Sequence, residues 1–126
     1  MTINEVIEDV RRIKTGFDLD DRRIIGSINY VEMKLLTDVI RGREGEDEYR
    51  SRGNYSSGTE RDAVLIAPAP FDSMYIDYCC AIIDREQEET ELYENDIIAY
   101  NMQFAAFKNY WWRTHRQTQK YRYHGG

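Results

Sequence analysis

The sequence predicts an all-α fold, a compact bundle of about four helices that forms a single domain over residues 1–115. Apolar residues recur at three- and four-residue steps in four separate segments, which is the pattern of helices that bury one face. Capping residues, glycine or proline stand near the ends of these segments. The length of 126 residues is typical of one domain with one core. We expect residues 116–126 to form an extended C-terminal tail.

Local signals define the first two helices. Thr2 and Glu5 have the spacing of a capping box, and the apolar stripe behind them predicts a helix over residues 3–14. Acids near Asp20 favour the start of a second helix, whose apolar stripe continues to about Arg41 before a glycine stops it. The expected core residues of this second helix are Ile24, Ile28, Val31 and Leu35.

Residues 42–62 break the helical pattern. They are rich in glycine and in charges of both signs, so we expect a long charged loop, or at most a small hairpin, between the second and third helices. A loop of this length inside a compact domain is uncommon and often serves binding. We therefore interpret it as a contact surface, with Tyr49, Arg50, Arg52 and Tyr55 as the candidate residues.

The second half of the chain predicts two further helices. An extended apolar segment at 63–66 leads to two prolines, and Pro70 or a residue beside it can open a third helix over 71–87. A fourth helix is predicted from about Leu92 to His115. The expected core residues here are Tyr75, Ile82, Phe104, Phe107 and Trp111.

The residue types that carry catalysis in proteins lack suitable partners in this sequence. Cys79 and Cys80 are adjacent in a predicted helix, and neither stands in a motif with His115 or His124, the two histidines. No phosphate-binding glycine motif is present, and the acids at 18–21 lack the glycine and the terminal glutamate of a calcium loop. We therefore predict no enzyme activity, no catalytic residue, no metal site and no cofactor.

We also expect a soluble, unprocessed chain made in a reducing cytosol, with no membrane partner. The longest apolar run, 63–70, is far shorter than the roughly 20 residues that span a bilayer. No charged and apolar leader opens the sequence. Two neighbouring cysteines cannot build a disulfide framework, which fits a reducing compartment.

Charge divides the chain into two parts. Residues 1–96 hold all 23 acids and 12 of the 17 lysines and arginines, whereas residues 97–126 hold five bases and no acid. The stretch FAAFKNYWWRTHRQ at 104–117 mixes aromatic rings with bases, and such a mixture can bind single-stranded nucleic acid by stacking. A small nucleic-acid-binding regulator that uses this basic, aromatic tail is therefore one functional hypothesis. The acidic body weakens it, since nucleic-acid-binding domains usually carry a basic face on a neutral or basic body.

Helical spacing divides the same stretch into two parts. Phe104, Phe107 and Trp111 follow the core stripe of the fourth helix, whereas Trp112 lies off it. We expect the chain to leave the acidic body from Trp112 onwards as a basic, aromatic arm.

The order of features over residues 65–117 resembles the C-terminal half of the small head-tail adaptor, or connector, proteins of long-tailed bacteriophages and prophages of Gram-positive bacteria. The opening TINEVIEDVRRIK resembles the start of those proteins as well. Where they have Asn before an Arg-Thr-His sequence, this chain has Trp112. The similar residues are Pro70, Phe71, Asp72 and Tyr75 at a helix start, Ile83 with Asp84, Asn95, and Phe104, Phe107, Tyr110, Trp111, Arg113, Thr114 and His115 in the last helix.

The resemblance implies a structural virion protein. Such adaptors form a ring, usually of twelve copies, beneath the portal, where the ring extends the DNA tunnel and links the capsid to the next neck or tail protein. It implies a homo-oligomer whose partners are the phage portal protein and a downstream stopper or tail-completion protein. It also implies synthesis in the host cytoplasm and a final place in the neck of the virion. DNA is then expected to pass through the lumen without specific binding, which suits an acidic wall because like charges repel.

The resemblance assigns a role to each of the two candidate contact regions. Loop 42–62 is expected to contact the neighbouring subunit or the next ring through the four residues named above. The C-terminal arm is expected to dock on the portal, and its candidate docking residues are Trp112, Arg113, His115, Arg116, Lys120, Tyr121, Arg122 and Tyr123.

Overall fold

A computed structural model describes residues 1–16, 19–56 and 61–118. Most of these residues are helical, as the sequence predicts, and no β-strand occurs among them. Among the described residues, no helix combines the length and the hydropathy that a membrane span requires. The helices are α1 (Ile3–Ile13), α2 (Asp21–Leu35), which runs directly into a π-helical turn (Leu36–Ile40), α3 (Glu46–Tyr49), α4 (Ser73–Glu86) and α5 (Thr90–Thr114).

The capping box predicted for α1 is present. The Glu5 amide donates to Thr2 Oγ1 at 3.2 Å, and the Thr2 amide donates to Glu5 Oε1 at 2.8 Å. These two bonds satisfy amides at the start of the helix that lack a helical partner. The apolar stripe of α1 is buried and consists of Ile3, Val6, Ile7 and Val10.

α2 places its apolar stripe in the hydrophobic core. Asp20 caps its start by accepting a hydrogen bond from the Arg22 amide at 2.9 Å. Beyond Leu35 the helix widens into the π-helical turn, where the Arg41 amide donates to the Leu36 carbonyl at 3.0 Å. The residues that the sequence places in this part of the core are all buried: Ile24, Ile28, Val31 and Leu35.

α4 and α5 form an antiparallel hairpin around a row of aromatic rings. Phe71, just before α4, packs on Phe107 with ring centroids 5.4 Å apart, and Tyr78 packs on Tyr100 at 5.0 Å. Because later residues of α4 meet earlier residues of α5, the two helices run in opposite directions. Of the residues that the sequence places in this part of the core, Tyr75, Phe107 and Trp111 are buried and Phe104 is partly buried.

Ile82 is not in the core, and the prediction for this residue is wrong. It is partly exposed and lines an open groove with Leu19 and Tyr30, while its neighbour Ile83 is buried. Ile82 lies about 60° of helix rotation from Cys79 and about 100° from Ile83, at the edge of the buried face, where the groove leaves it open.

Residues 63–66 lie beside the start of the chain. The Leu65 amide donates to the Met1 carbonyl at 3.0 Å, and the Ile3 amide donates to the Ala63 carbonyl at 3.2 Å. These bonds belong to an isolated antiparallel bridge. The segment therefore ties the start of α1 to the chain that leads into α4.

The described part of loop 42–62 packs against the body. The one-turn helix α3 occupies its first half, and no hairpin forms within its described residues. Asn29 of α2 holds the second half, because its side-chain amide donates to the Tyr55 carbonyl at 2.8 Å and its side-chain oxygen accepts from the Tyr55 amide at 2.9 Å. These contacts fix the loop on α2, so it is neither extended nor separate from the domain.

Candidate docking surface at the C-terminal junction

The C-terminal junction is the surface where the end of α5 and residues 115–118 meet residues 42–46. Arg43 closes it, since its Nη1 donates to the Trp112 carbonyl at 3.3 Å and to the His115 carbonyl at 3.1 Å. The last carbonyls of a helix have no partner within the helix, and a cation at this end also complements the helix dipole. Arg43 therefore caps α5 from a distant part of the sequence.

The chain after α5 stays paired with the segment before α3. The Glu44 amide donates to the Arg116 carbonyl at 2.9 Å, and the Thr118 amide donates to the Gly42 carbonyl at 2.8 Å. The Arg116 amide in turn donates to Glu44 Oε1 at 2.9 Å. The expectation that the chain leaves the body from Trp112 is therefore wrong for its described part, because backbone hydrogen bonds hold it to the body as far as Thr118.

Trp112 is anchored at one edge and exposed elsewhere. Its Nε1 donates to the Val39 carbonyl of the π-helical turn at 2.9 Å. Two cations lie over its ring, with the Arg43 guanidinium carbon 4.5 Å and Lys108 Nζ 4.4 Å from the centroid. The residue is nevertheless 41% exposed. Trp112 thus combines a fixed position with accessible apolar surface, as an anchor of a binding surface does.

Trp111 and His115 form a stack that supports the junction. Their ring centroids are 3.5 Å apart with planes inclined by 5°, and Tyr49 adds an edge contact to Trp111 at 5.5 Å. Gly45 lies against the stack with a φ of +85°, and a Cβ there would stand 3.7 Å from both rings. His115, a predicted docking residue, is therefore partly buried in the support of the surface.

A cleft of about 560 Å³ opens beside this stack. Tyr49, Tyr110 and Trp111 supply its aromatic lining, and Arg52 and Pro68 also line it. The indole Nε1 of Trp111 is buried and has no hydrogen-bond partner among the described residues. The junction thus offers a concave surface that combines aromatic rings with aliphatic and charged groups, including the acids Glu48 and Asp72.

Arg113 and Arg116 are exposed at the edge of the junction. Together with Arg43 and Lys108 they place four bases at this end of the described structure, beside the acids Glu44 and Glu46. The remaining predicted docking residues lie outside the described residues: Lys120, Tyr121, Arg122 and Tyr123.

All four candidate contact residues in loop 42–62 have partners within the domain, and Arg50 forms an ion pair with Asp47 at 2.6 Å on the surface. Tyr49 packs on Trp111, and the Tyr55 hydroxyl donates to a buried glutamate at 3.0 Å. The Arg52 guanidinium carbon lies 5.7 Å from the centroid of the Tyr49 ring. Only Arg50 is exposed among the four. The loop residues therefore support the junction and the core more than they form a separate surface.

Glu32 is a buried acid that sequence reasoning missed. Its carboxylate accepts hydrogen bonds from the Tyr75 hydroxyl at 2.5 Å, the Tyr55 hydroxyl at 3.0 Å and the Ile66 amide at 3.2 Å. Burial raises the pKa of Glu32, while the two hydroxyl donors act in the opposite direction. Its burial could have been predicted from its position on the buried face of α2. The network joins α2 to the loop and to α4.

A second cluster of charged groups joins α1, α4 and α5. Lys14, at the end of α1, forms an ion pair with Asp84, which is buried on α4. Asp84 Oδ2 has no hydrogen-bond donor among the described residues. Burial, and then the hydrogen bond with Asp84, raises the pKa of Asp96 on α5 to about 7. When the Asp96 carboxyl is protonated, it can serve as a hydrogen-bond donor to Asp84.

The described residues contain no group of His, Cys, Asp and Glu side chains that could hold a metal ion. Cys79 and Cys80 are buried and not in a disulfide. Comparison of the chain with protein-family models, curated proteins and solved structures found no significant match.

Proposed function

We propose that this chain is a structural virion protein, a head-tail adaptor of a long-tailed bacteriophage or prophage, and not an enzyme. The observation that carries the proposal is the C-terminal junction. It presents Trp112 and two exposed arginines on a support fixed by Arg43 and by backbone pairing. Aromatic residues and arginine on a fixed base are the usual composition of a protein-docking surface. The resemblance of the helical sequence to small adaptors supports the same assignment.

In this proposal the junction docks on the portal protein. Trp112 supplies apolar area, and Arg113 and Arg116 supply charge for acidic groups of the portal. The cleft beside Trp111 provides a place for a side chain or loop of the portal. The next residues in sequence, from Lys120 to Tyr123, extend the same mixture of bases and aromatic rings.

Copies of the chain form a ring, dodecameric in our proposal, beneath the portal in the neck of the virion after synthesis in the host cytoplasm. Contacts between unlike surfaces of successive copies close such a ring. The ring extends the DNA tunnel and connects it to a stopper or tail-completion protein. The net charge of -6 disfavours tight contact with phosphates, so DNA passes without specific binding.

Electron microscopy of the purified chain mixed with the portal protein of the same genome tests the proposal. We expect a ring of added density beneath the portal, and we expect Arg113→Glu combined with Arg116→Glu to remove it. The matched control, Arg12→Glu combined with Arg22→Glu, makes the same change of charge at exposed positions of α1 and α2 and retains the ring. A chain that never decorates the portal at any concentration contradicts the proposal.

A nucleic-acid-binding regulator is the competing proposal. A base that stacks on Trp112 has to compete with Arg43 and Lys108, which already lie over the ring, and this weakens the case. Titration with single-stranded DNA at about 50 mM salt separates the two proposals. Salt-sensitive binding that is lost on Arg113→Glu with Arg116→Glu favours the regulator, and absence of binding removes it.

A further inference from the structure

α5 buries one face and leaves the opposite face without a partner in the described structure. Of the nine large apolar side chains that are exposed among the described residues, five belong to α5, and two of these, Ile98 and Met102, lie on this opposite face. Ile98 is 57% exposed and Met102 is 68% exposed. The five residues are Leu92, Ile98, Met102, Tyr110 and Trp112.

The outer face of α5 has a regular spacing. Steps of three and four residues keep a set of positions on the side opposite the buried rings of Tyr100, Phe107 and Trp111. All the members of this set are exposed: Glu91, Asn95, Ile98, Met102, Ala106, Asn109 and Arg113.

This outer face is self-complementary about Met102. Positions at equal distances before and after Met102 carry side chains that can pair with each other. A large apolar side chain is matched by a small one, an amide by an amide, and an acid by a base. The three matched pairs are Ile98 with Ala106, Asn95 with Asn109, and Glu91 with Arg113.

We propose that two copies of the chain associate through this face as an antiparallel pair of α5 helices, with their Met102 side chains meeting at the two-fold axis. Ile98 of each copy then packs on Ala106 of the other, whose small side chain lets the helices approach closely. A two-fold contact of this kind is isologous, so each matched pair occurs twice.

Charge identifies a second copy as the occupant of this face. The antiparallel arrangement sets Glu91 of each helix opposite Arg113 of the other, and neither residue forms an ion pair within the described part of the chain. It also sets the helix dipoles in opposite directions, with each positive end beside a negative end. A parallel arrangement instead sets like charges side by side at both ends.

The contact overlaps the C-terminal junction, because Arg113 belongs to both surfaces. Self-association and docking on the portal then compete for the same residue. This consequence rests on the proposed function, whereas the pairing of α5 does not.

Sedimentation velocity over a series of chain concentrations tests the pairing. We expect a monomer–dimer equilibrium for the natural chain. Met102→Glu sets two like charges at the axis and weakens association by roughly tenfold or more. Ile13→Glu, a matched change at a position of α1 that is 52% exposed, leaves association unchanged. Circular dichroism checks that each variant is folded.

Reciprocal charge changes test the register. Glu91→Arg alone and Arg113→Glu alone each set like charges opposite one another and weaken the dimer several-fold. The two changes in one chain restore it, and so does an equal mixture of the two single variants. Failure of both restorations, with each single variant weakened, overturns the proposed register.

Cysteine cross-linking tests the symmetry. Met102→Cys forms a disulfide-linked dimer on oxidation, whereas Ile98→Cys forms one only when Ala106→Cys is added. The natural cysteines are buried, so we expect them to form no cross-link. A natural chain that stays monomeric at its highest soluble concentration overturns the pairing. If that monomer still decorates the portal, the pairing fails while the adaptor proposal stands.

Discussion

The Tyr75 hydroxyl donates a hydrogen bond to the Glu32 carboxylate at 2.5 Å inside the core, where both residues are fully buried. The oxygen of the same hydroxyl accepts from the Ala67 amide at 2.9 Å. Burial raises the pKa of Tyr75, and the negative charge of Glu32 raises it further, so the hydroxyl remains a donor at ordinary pH. One side chain of α4 therefore satisfies an acid of α2 and a backbone amide near the start of α4.

Tyr75→Phe removes this hydroxyl and leaves the Ala67 amide without an acceptor. We expect the free energy of unfolding to fall by about 2 kcal/mol, because a buried polar group without a partner costs about 1–3 kcal/mol. Urea denaturation measures the change. Tyr110→Phe removes a hydroxyl from a residue that is 37% exposed, and should change stability by less than about 0.5 kcal/mol. Equal stability of the two variants contradicts a role for the network.

The raised pKa of Asp96 leads us to expect that the stability of the fold depends on pH. Its pKa of about 7 in the folded chain lies above the ordinary 3.8, so between these values the folded state holds a proton that the unfolded state releases. This contribution to stability is fully present below the ordinary pKa and is lost as the pH rises through about 7. The charged groups that face Asp96 are Lys14 of α1 and Asp77 and Asp84 of α4.

Asp96→Asn removes this titration and keeps a hydrogen-bond donor for Asp84. We expect the melting temperature of the variant to fall less than that of the natural chain as the pH rises from about 5 to about 8. Asp62→Asn changes an exposed acid and serves as the control, whose profile should follow the natural chain. If the dependence of the melting temperature on pH is the same in Asp96→Asn as in the natural chain, Asp96 does not hold the proton that links stability to pH.

The sequence predicted features that depend on neighbouring residues and missed those that depend on distant ones. The capping box at Thr2 and the stripe of α2 follow from residues a few positions apart, and both are present. The pairing of Gly42 with Thr118 joins two segments far apart in sequence, and such a contact leaves no periodic signal. Trp112 shows both cases. Helical spacing predicted that it lies off the buried stripe of α5, but its hydrogen bond to the distant Val39 carbonyl could not be predicted.

Phe107 and Trp112 are expected to differ in their contribution to stability. Phe107 is fully buried, so Phe107→Ala should cost on the order of 3 kcal/mol, as large-to-small core changes do. Trp112→Ala with Arg116→Ala should cost less, about 1–2 kcal/mol, because this double variant loses the bond to Val39 and the cation contacts of the Trp112 ring. Thermal melts that show equal damage in both variants contradict this order.

Arg43→Ala should loosen the C-terminal junction while leaving the core intact. The variant loses the hydrogen bonds to the Trp112 and His115 carbonyls and one cation over the Trp112 ring. The last turn of α5 and the bond of the Thr118 amide then open more often, which hydrogen exchange detects as faster exchange of these amides. Amide exchange in α1 should not change, because the capping box of Thr2 is formed by residues of α1 itself and its neighbour, far along the sequence from Arg43.

Arg41→Ala is the matched control, since it removes the same charge from an exposed position two residues away. If faster exchange appears in both variants, charge rather than capping is responsible. Arg43→Lys keeps the charge but replaces the forked guanidinium by a single ammonium group, so we expect intermediate protection.

A portal that binds Arg43→Ala as well as the natural chain shows that docking does not need an ordered junction. Weaker binding of Arg43→Ala but not of Arg41→Ala, which loses the same charge, shows that docking depends on the position of Arg113 and Arg116.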